Sequence, residues 1–125
     1  MDNKKAVLCD DDKTTMLIVK HLLEKLGFSV SMAADGKEGL ALVQAQKPQL
    51  LILDLDMPVK NGIGVLQDLQ QSGKNGLYII VLSAHENQED HAQARALGAQ
   101  EVVVKPFKPA DLVKKVDDLV KEGKI

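Results

Sequence analysis

The stretch Leu50-Leu51-Ile52-Leu53-Asp54-Leu55-Asp56-Met57-Pro58 decides the architecture. An unbroken apolar run that stops at a carboxylate reads as a strand buried on both faces, because a strand with one wet face would alternate. Strands of that kind belong to parallel sheets covered by helices on both sides, and in such sheets ligands and chemistry collect at the carboxyl edge. Asp54 stands at that edge and is the candidate reactive residue.

Working outward, Ala6-Val7-Leu8-Cys9 is a second buried strand, and it runs into Asp10-Asp11-Asp12 as the first runs into Asp54. From Lys13 the chain turns helical, with Leu17, Ile18, Leu22 and Leu26 as the expected core stripe, Thr14 or Asp12 as N-cap and Gly27 as the left-handed stop. Phe28 to Met32 alternates, as an edge strand does, and Ala34-Asp35-Gly36 is a turn. A helix over about 37–46 points Leu40 and Val43 inward and ends before Pro48.

Beyond Pro58, Val59-Lys60-Asn61-Gly62 is a turn, and residues 63–71 carry Val65, Leu66 and Leu69 at helical spacing. Gly73-Lys74-Asn75-Gly76 is a loop, and Leu77 to Leu82 is a buried strand that ends in Ser83. An alanine-rich helix from near Gln88 to Leu97 is closed by Gly98. The strand Glu101 to Val104 leads into Lys105, and Pro109 opens a final helix with Leu112, Val113, Val116, Leu119 and Val120 on its buried face. Strands alternating with helices in this way predict an α/β fold, a doubly wound five-stranded parallel sheet with helices on both faces and the flavodoxin-like order 2-1-3-4-5.

In that order the first and third strands are neighbours, so Asp10, Asp11 and Asp54 converge at the crevice, joined by Ser83 and Lys105 from the fourth and fifth. Two carboxylates ~4 Å apart repel by ~4 kcal/mol at an effective dielectric near 20, so positive charge belongs among them. Lys105 supplies part of it. Hard oxygen ligands of this kind select Mg²⁺, and a carboxylate beside Mg²⁺ and a lysine suits attack on a phosphoryl group.

Composition sets the frame. A chain of 125 residues, 45% hydrophobic and 27% charged, is expected to form one compact domain, residues 1–125. A net charge of -2 offers no basic field to a nucleic-acid backbone, so no nucleic-acid partner is expected. One cysteine, Cys9, forms no internal disulfide and reads as a small buried side chain. With no apolar run near the ~18 residues of a membrane span and no signal-peptide core, the expectation is a cytoplasmic protein without a membrane partner. His21 and His91 read as partly exposed helix positions, and Tyr78 as a half-buried packing residue.

With these residues in hand, the chain resembles the receiver domain of bacterial two-component response regulators, the CheY-like family, from Val7 to about Val120. The marks are Cys9-Asp10-Asp11-Asp12, Leu53-Asp54-Leu55-Asp56-Met57-Pro58 with Gly62 after it, Ser83-Ala84, and Lys105-Pro106-Phe107. The resemblance implies a phosphorylation-controlled signalling module in which Asp54 accepts a phosphoryl group from a histidine kinase or histidine phosphotransfer protein. It further implies Mg²⁺ held by Asp10, Asp11, Asp54 and the backbone carbonyl of Asp56, phosphoryl oxygens bound by Ser83 and Lys105, and a cis Lys105–Pro106 bond. Registering on the helix that follows selects Asp10 and Asp11 as the metal acids and leaves Asp12 as the first loop residue.

Three positions depart from, or vary within, that family. Val102 stands where many members carry the aromatic residue that moves with the hydroxyl residue on activation, and Asp56 and His85 take the variable positions that flank the phosphorylation site. The expected output is a change of protein partners at the face built from the fourth helix, last strand and last helix, since the chain stops at Ile125 just beyond it. The expected state is a monomer or a phosphorylation-dependent dimer, with no enzymatic turnover beyond self-directed phosphotransfer and autodephosphorylation. Two alternatives are an aspartate-nucleophile phosphatase of the haloacid dehalogenase type, from Asp54-Leu55-Asp56, and a flavin-binding electron carrier on the same fold. Neither suits the sequence well: the first lacks a cap domain, and the second would place phosphate against Asp10-Asp11-Asp12 with only Tyr78 to stack on a flavin.

Overall fold

The computed structural model describes residues 4–57, 60–73, 76–84 and 88–125. Its elements alternate: β1 Lys4–Cys9, α1 Lys13–Lys25, β2 Phe28–Ala33, α2 Gly36–Gln46, β3 Leu50–Asp54, α3 Gly62–Ser72, β4 Tyr78–Ser83, α4 Gln88–Ala96, β5 Glu101–Val104 and α5 Pro109–Lys121. The strands form one parallel sheet in the order β2-β1-β3-β4-β5. The predicted fold class and strand order hold. Val59, Lys74 and Asn75, from two of the predicted turns, and Pro58 before the first of them lie outside the described residues.

Side chains of a strand alternate between faces, so each apolar run feeds two cores. Val7, Cys9, Leu51, Leu53, Ile79 and Val81 pack with Val43, Val65, Leu66, Leu69 and Ala94 beneath α2, α3 and α4. Ala6, Leu8, Leu50, Ile52, Ile80 and Leu82 pack with residues of α1 and α5 on the other face. That double coverage is why these strands read as continuous apolar runs while β2, at one edge, alternates.

One expectation fails at α1. The face turned to the sheet is Met16, Val19 and Leu23, while Leu17, Ile18 and Leu26 are 56%, 49% and 40% exposed. The cause is that Met16-Leu17-Ile18-Val19 is apolar throughout, so two stripes about one residue apart fit the same helical period. Asp12 fixes the phase: its carboxylate caps the helix, accepting from the Thr15 amide at 3.3 Å and the Thr15 hydroxyl at 2.8 Å.

The other helix ends follow their local chemistry. Asp35 caps α2 through the Glu38 amide at 2.8 Å, and Asn61 caps α3 through the Gly64 amide at 2.9 Å. Gly27 and Gly98 adopt positive φ after α1 and α4, where a left-handed residue lets the chain leave the helix. Pro109 opens α5 with its missing N–H, and Leu112, Val113, Val116 and Leu119 are buried along one side.

Candidate functional site

Sheet register builds the site. Cys9 pairs with Leu53 across β1 and β3, so the next residues along each strand, Asp10 and Asp54, leave the sheet side by side. Asp54 in turn pairs with Leu82 of β4, one residue before Ser83, and Ser83 pairs with Val104, one residue before Lys105. The Lys105 amide donates to the Ser83 carbonyl at 2.7 Å, extending the ladder by one residue at the rim. The Lys105–Pro106 peptide is cis, as the resemblance implies.

At this rim Asp10 and Asp54 are each 2% exposed and Ser83 is 1% exposed. The Lys105 ammonium lies between the two acids, 3.0 Å from Asp10 Oδ2 and 3.1 Å from Asp54 Oδ2. Only the Asp54 contact has the alignment of a hydrogen bond; Asp10 Oδ2 is buried at ion-pair distance without one. The remaining oxygens are held by backbone: Asp56 N–H donates to Asp54 Oδ1 at 3.1 Å, and Asp12 N–H donates to Asp10 Oδ1 at 2.9 Å. One carboxylate oxygen from each of Asp10, Asp11 and Asp54 lies within 4.8 Å of the others.

These surroundings shift protons in a definite sense. Burial pushes the Asp54 carboxyl up to about 6, helped by the charge of Asp10 and opposed by the Asp56 amide and Lys105. Burial works against the charge on Lys105, yet its contacts with Asp10 and Asp54 outweigh that and hold it above the ordinary lysine value. Three acids against one ammonium leave an excess of negative charge, and buried Asp10 Oδ2 has the ion pair with Lys105 but no aligned hydrogen bond. A hard divalent cation fits such a donor set, so the cluster is suited to hold a metal.

A match to the family model for the response regulator receiver domain spans residues 6–117, most of the chain and all four of the rim segments. The chain belongs to that family. Its fold and function are those of a receiver domain of two-component systems, and the phosphatase and electron-carrier readings fall away. It is 36% identical over 119 residues to the transcriptional regulatory protein CpxR of Escherichia coli, covering 95% of this chain and 50% of CpxR. It is 32% identical over 123 residues to the alkaline phosphatase synthesis transcriptional regulatory protein PhoP of Bacillus subtilis, covering 98% of this chain and 51% of PhoP. The chain thus spans about half the length of the curated relatives it matches. Among solved structures, the chemotaxis protein CheY4 of Vibrio cholerae is similar with a TM-score of 0.83 at 31% identity, covering 94% of this chain and 98% of that one. The receiver domain of the Francisella response regulator 1452 is similar with a TM-score of 0.85 at 30% identity, covering 97% and 99%.

Within this receiver domain, Asp10, Asp11, Asp54, Ser83 and Lys105 all reach the rim. Asp12 does not join the acids: it is the α1 cap. Asp56 follows the strand with its side chain exposed and its amide turned to Asp54. Val102, opposite Val81, packs partly buried beneath α2, α3 and α4. His85 lies outside the described residues. Sequence reasoning missed Thr15, which with Asp10, Asp12, Ala84, Lys105 and Phe107 borders an open cavity of about 370 Å³ on the Asp10 and Lys105 side of the rim; the signal was the spacing Asp12 to Thr15, a cap pair. No helix among the described residues is long and apolar enough to cross a membrane.

Proposed function

We propose that residues 1–125 act as one receiver domain in which Asp54 takes a phosphoryl group from a phosphohistidine on a histidine kinase or phosphotransfer protein. The observation that carries this reading is the Asp54 carboxylate, sunk at the strand edge against Lys105 with Asp10 and Asp11 beside it. In this scheme Asp10, Asp11, Asp54 and the backbone carbonyl of Asp56 hold Mg²⁺. When bound there, Mg²⁺ supplies the charge that lets an anionic carboxylate approach an anionic phosphoryl group.

The chain's own groups do the rest. An Asp54 oxygen attacks phosphorus, the P–N bond to the donor histidine breaks, and an acyl phosphate forms on Asp54. Lys105 then pairs with a phosphoryl oxygen and the Ser83 hydroxyl donates to another, which draws the loops after β4 and β5 inward. Hydrolysis returns the free carboxylate, and Asp56 and His85 set its rate, Asp56 by helping to hold water and metal. Val102 has no ring to bury, so Ser83 carries the switch without an aromatic partner.

The output is a change of protein contacts with a downstream target, since the net charge of -2 gives the domain no field for nucleic acid. The same reading places the domain in the cytoplasm, as a monomer or as a dimer that forms on phosphorylation. Incubation with Mg²⁺ and acetyl phosphate, followed by intact-mass measurement, tests the chemistry. A gain of ~80 Da, one phosphoryl group, is expected in wild type and not in Asp54→Ala. An equal gain in both refutes Asp54 as the acceptor.

A further inference from the structure

We propose that the first turn of α2 is a brace that fixes the spacing between the two acid-bearing segments of the site, with Gly36 and Gly39 as its positioning residues. The consequence for metal affinity rests on the Mg²⁺ reading above; the geometry does not. Gly36 and Gly39 lie three residues apart on one helical face, and both are buried. Neither has a positive φ, so the backbone itself admits alanine, the better helix former. What excludes a side chain is what each glycine touches.

A Cβ at Gly36 would fall on the carbonyl oxygen of Lys60, with the Lys60 carbonyl carbon at 2.7 Å and Val65 Cγ2 at 2.9 Å. Lys60 stands two residues before Gly62, and Gly62 is seated on the strand that carries the reactive acid. Its amide donates to the Leu55 carbonyl at 3.1 Å, and a Cβ there would meet Asp54 O at 2.6 Å and Leu55 Cα at 2.8 Å. Backbone pushed away from α2 at Lys60 therefore moves the Asp54–Asp56 segment.

The second contact reaches the other acids. A Cβ at Gly39 would fall on Cys9 Sγ, with Cys9 Cβ at 3.3 Å, and Cys9 immediately precedes Asp10. The thiol cannot swing aside freely, because it is held at 3.3 Å from both the Asp35 carbonyl and Met57 Sδ. One helical turn thus bears on β1 just below Asp10 and, at Lys60, on the backbone that leads into Gly62 and its seat on Asp54 and Leu55. Mg²⁺ demands near-ideal octahedral geometry at short distances, so a shift of either segment should be read out as lost affinity.

Nuclear magnetic resonance of the ¹⁵N-labelled protein tests this directly. In metal-free buffer Gly36→Ala is expected to move the amide signals of Leu55, Asp56 and Gly62, and Gly39→Ala those of Asp10 and Asp11. On titration with Mg²⁺, Gly36→Ala should bind about ten-fold more weakly, the lower end of the loss seen for residues that orient metal ligands. Gly64→Ala is the control, since its Cβ would meet side-chain atoms and no backbone, Lys60 Cγ at 3.1 Å and Asn61 Oδ1 at 3.6 Å, and it should match wild type.

Wild-type loop signals and wild-type Mg²⁺ affinity in Gly36→Ala overturn the proposal, as does an equal loss in Gly64→Ala. Should Gly36→Ala fail to fold, Asp35→Ala serves: it removes only the cap bond to the Glu38 amide, 2.8 Å long, and loosens the brace without adding bulk. A smaller loss of Mg²⁺ affinity there supports the brace, and undiminished affinity refutes it. If wild type itself takes up no Mg²⁺ while Gly36→Ala still moves the Asp54–Asp56 signals, the metal reading fails and the brace stands.

Discussion

Replacing Asp54 by asparagine should stabilise the metal-free protein at neutral pH. Burial holds the Asp54 carboxyl at about 6 in the folded chain, against about 3.9 for an unfolded aspartate. The folded state therefore binds this proton more tightly, and stability is present below pH ~4, is lost as pH rises through ~4 to 6, and stays lost above that. A gap of about two pKa units corresponds to about 3 kcal/mol at most. Asparagine keeps the acceptor for the Asp56 amide but turns an NH₂ towards Lys105, so the net gain at pH 7.5 is expected at about 1–2 kcal/mol, or roughly 3–8 °C in Tm. Thermal melts in EDTA from pH 4 to 8 check this. The two proteins should melt together near pH 4 and separate above pH 6. Added Mg²⁺ should then raise wild type alone, by about 1.4 kcal/mol at ten times its Kd. A wild type more stable than Asp54→Asn at pH 7.5 without metal, or a difference that ignores pH, refutes the electrostatic account.

Three further outcomes follow from the same coordinates. Lys105→Met strips Asp10 and Asp54 of their shared ammonium and should destabilise the metal-free protein by about 1–3 kcal/mol at pH 7.5, less at pH 5, where Asp54 takes up a proton. Cys9 should resist a thiol reagent in the native state at pH 8 and react on unfolding, because burial pushes its thiol up to about 12; modification at the rate of a free thiol contradicts its placement. Leu17→Ser and Ile18→Ser should each change stability by no more than about 0.5 kcal/mol, whereas Leu23→Ala should cost about 2–4 kcal/mol in urea melts; the reverse order would restore the stripe first read from the sequence.

That last contrast marks where the sequence was readable and where it was not. Strands β3 and β4, and β1 from Ala6 onward, were legible because burial on both faces makes them apolar runs, which stop where the sheet meets the site, at Asp54, Ser83 and Asp10. The convergence of Asp10, Asp11, Asp54 and Lys105 followed from strand order alone. α1 was not legible in phase, since a helix apolar on adjoining faces leaves the choice to the sheet and to the Asp12 cap. Gly36 and Gly62 looked like turn residues and are steric seats instead. Their role depends on which backbone lies across from them, and local sequence carries no record of that.

Strand register is the deeper case. A one-residue slip of β1 against β3 would set Cys9 beside Asp54 and turn Asp10 to the opposite face. In a sheet with one wet face, that slip would expose the core and be rejected; here both parities are apolar, Ala6 and Leu8 on one side, Val7 and Cys9 on the other. Hydrophobic pattern alone therefore does not hold the acids in line. Side-chain size does: α2 comes so close at Gly39 that only a small residue fits beneath it, and Cys9 is that residue, whereas a slip would put Leu8 or Asp10 in its place. Cys9→Leu should accordingly cost about 1–3 kcal/mol from overpacking and weaken Mg²⁺ binding as well, while Cys9→Ala should spare the metal. Equal Mg²⁺ affinity in Cys9→Leu, measured while the protein is fully folded, would mean that the fit between β1 and α2 does not control where Asp10 stands.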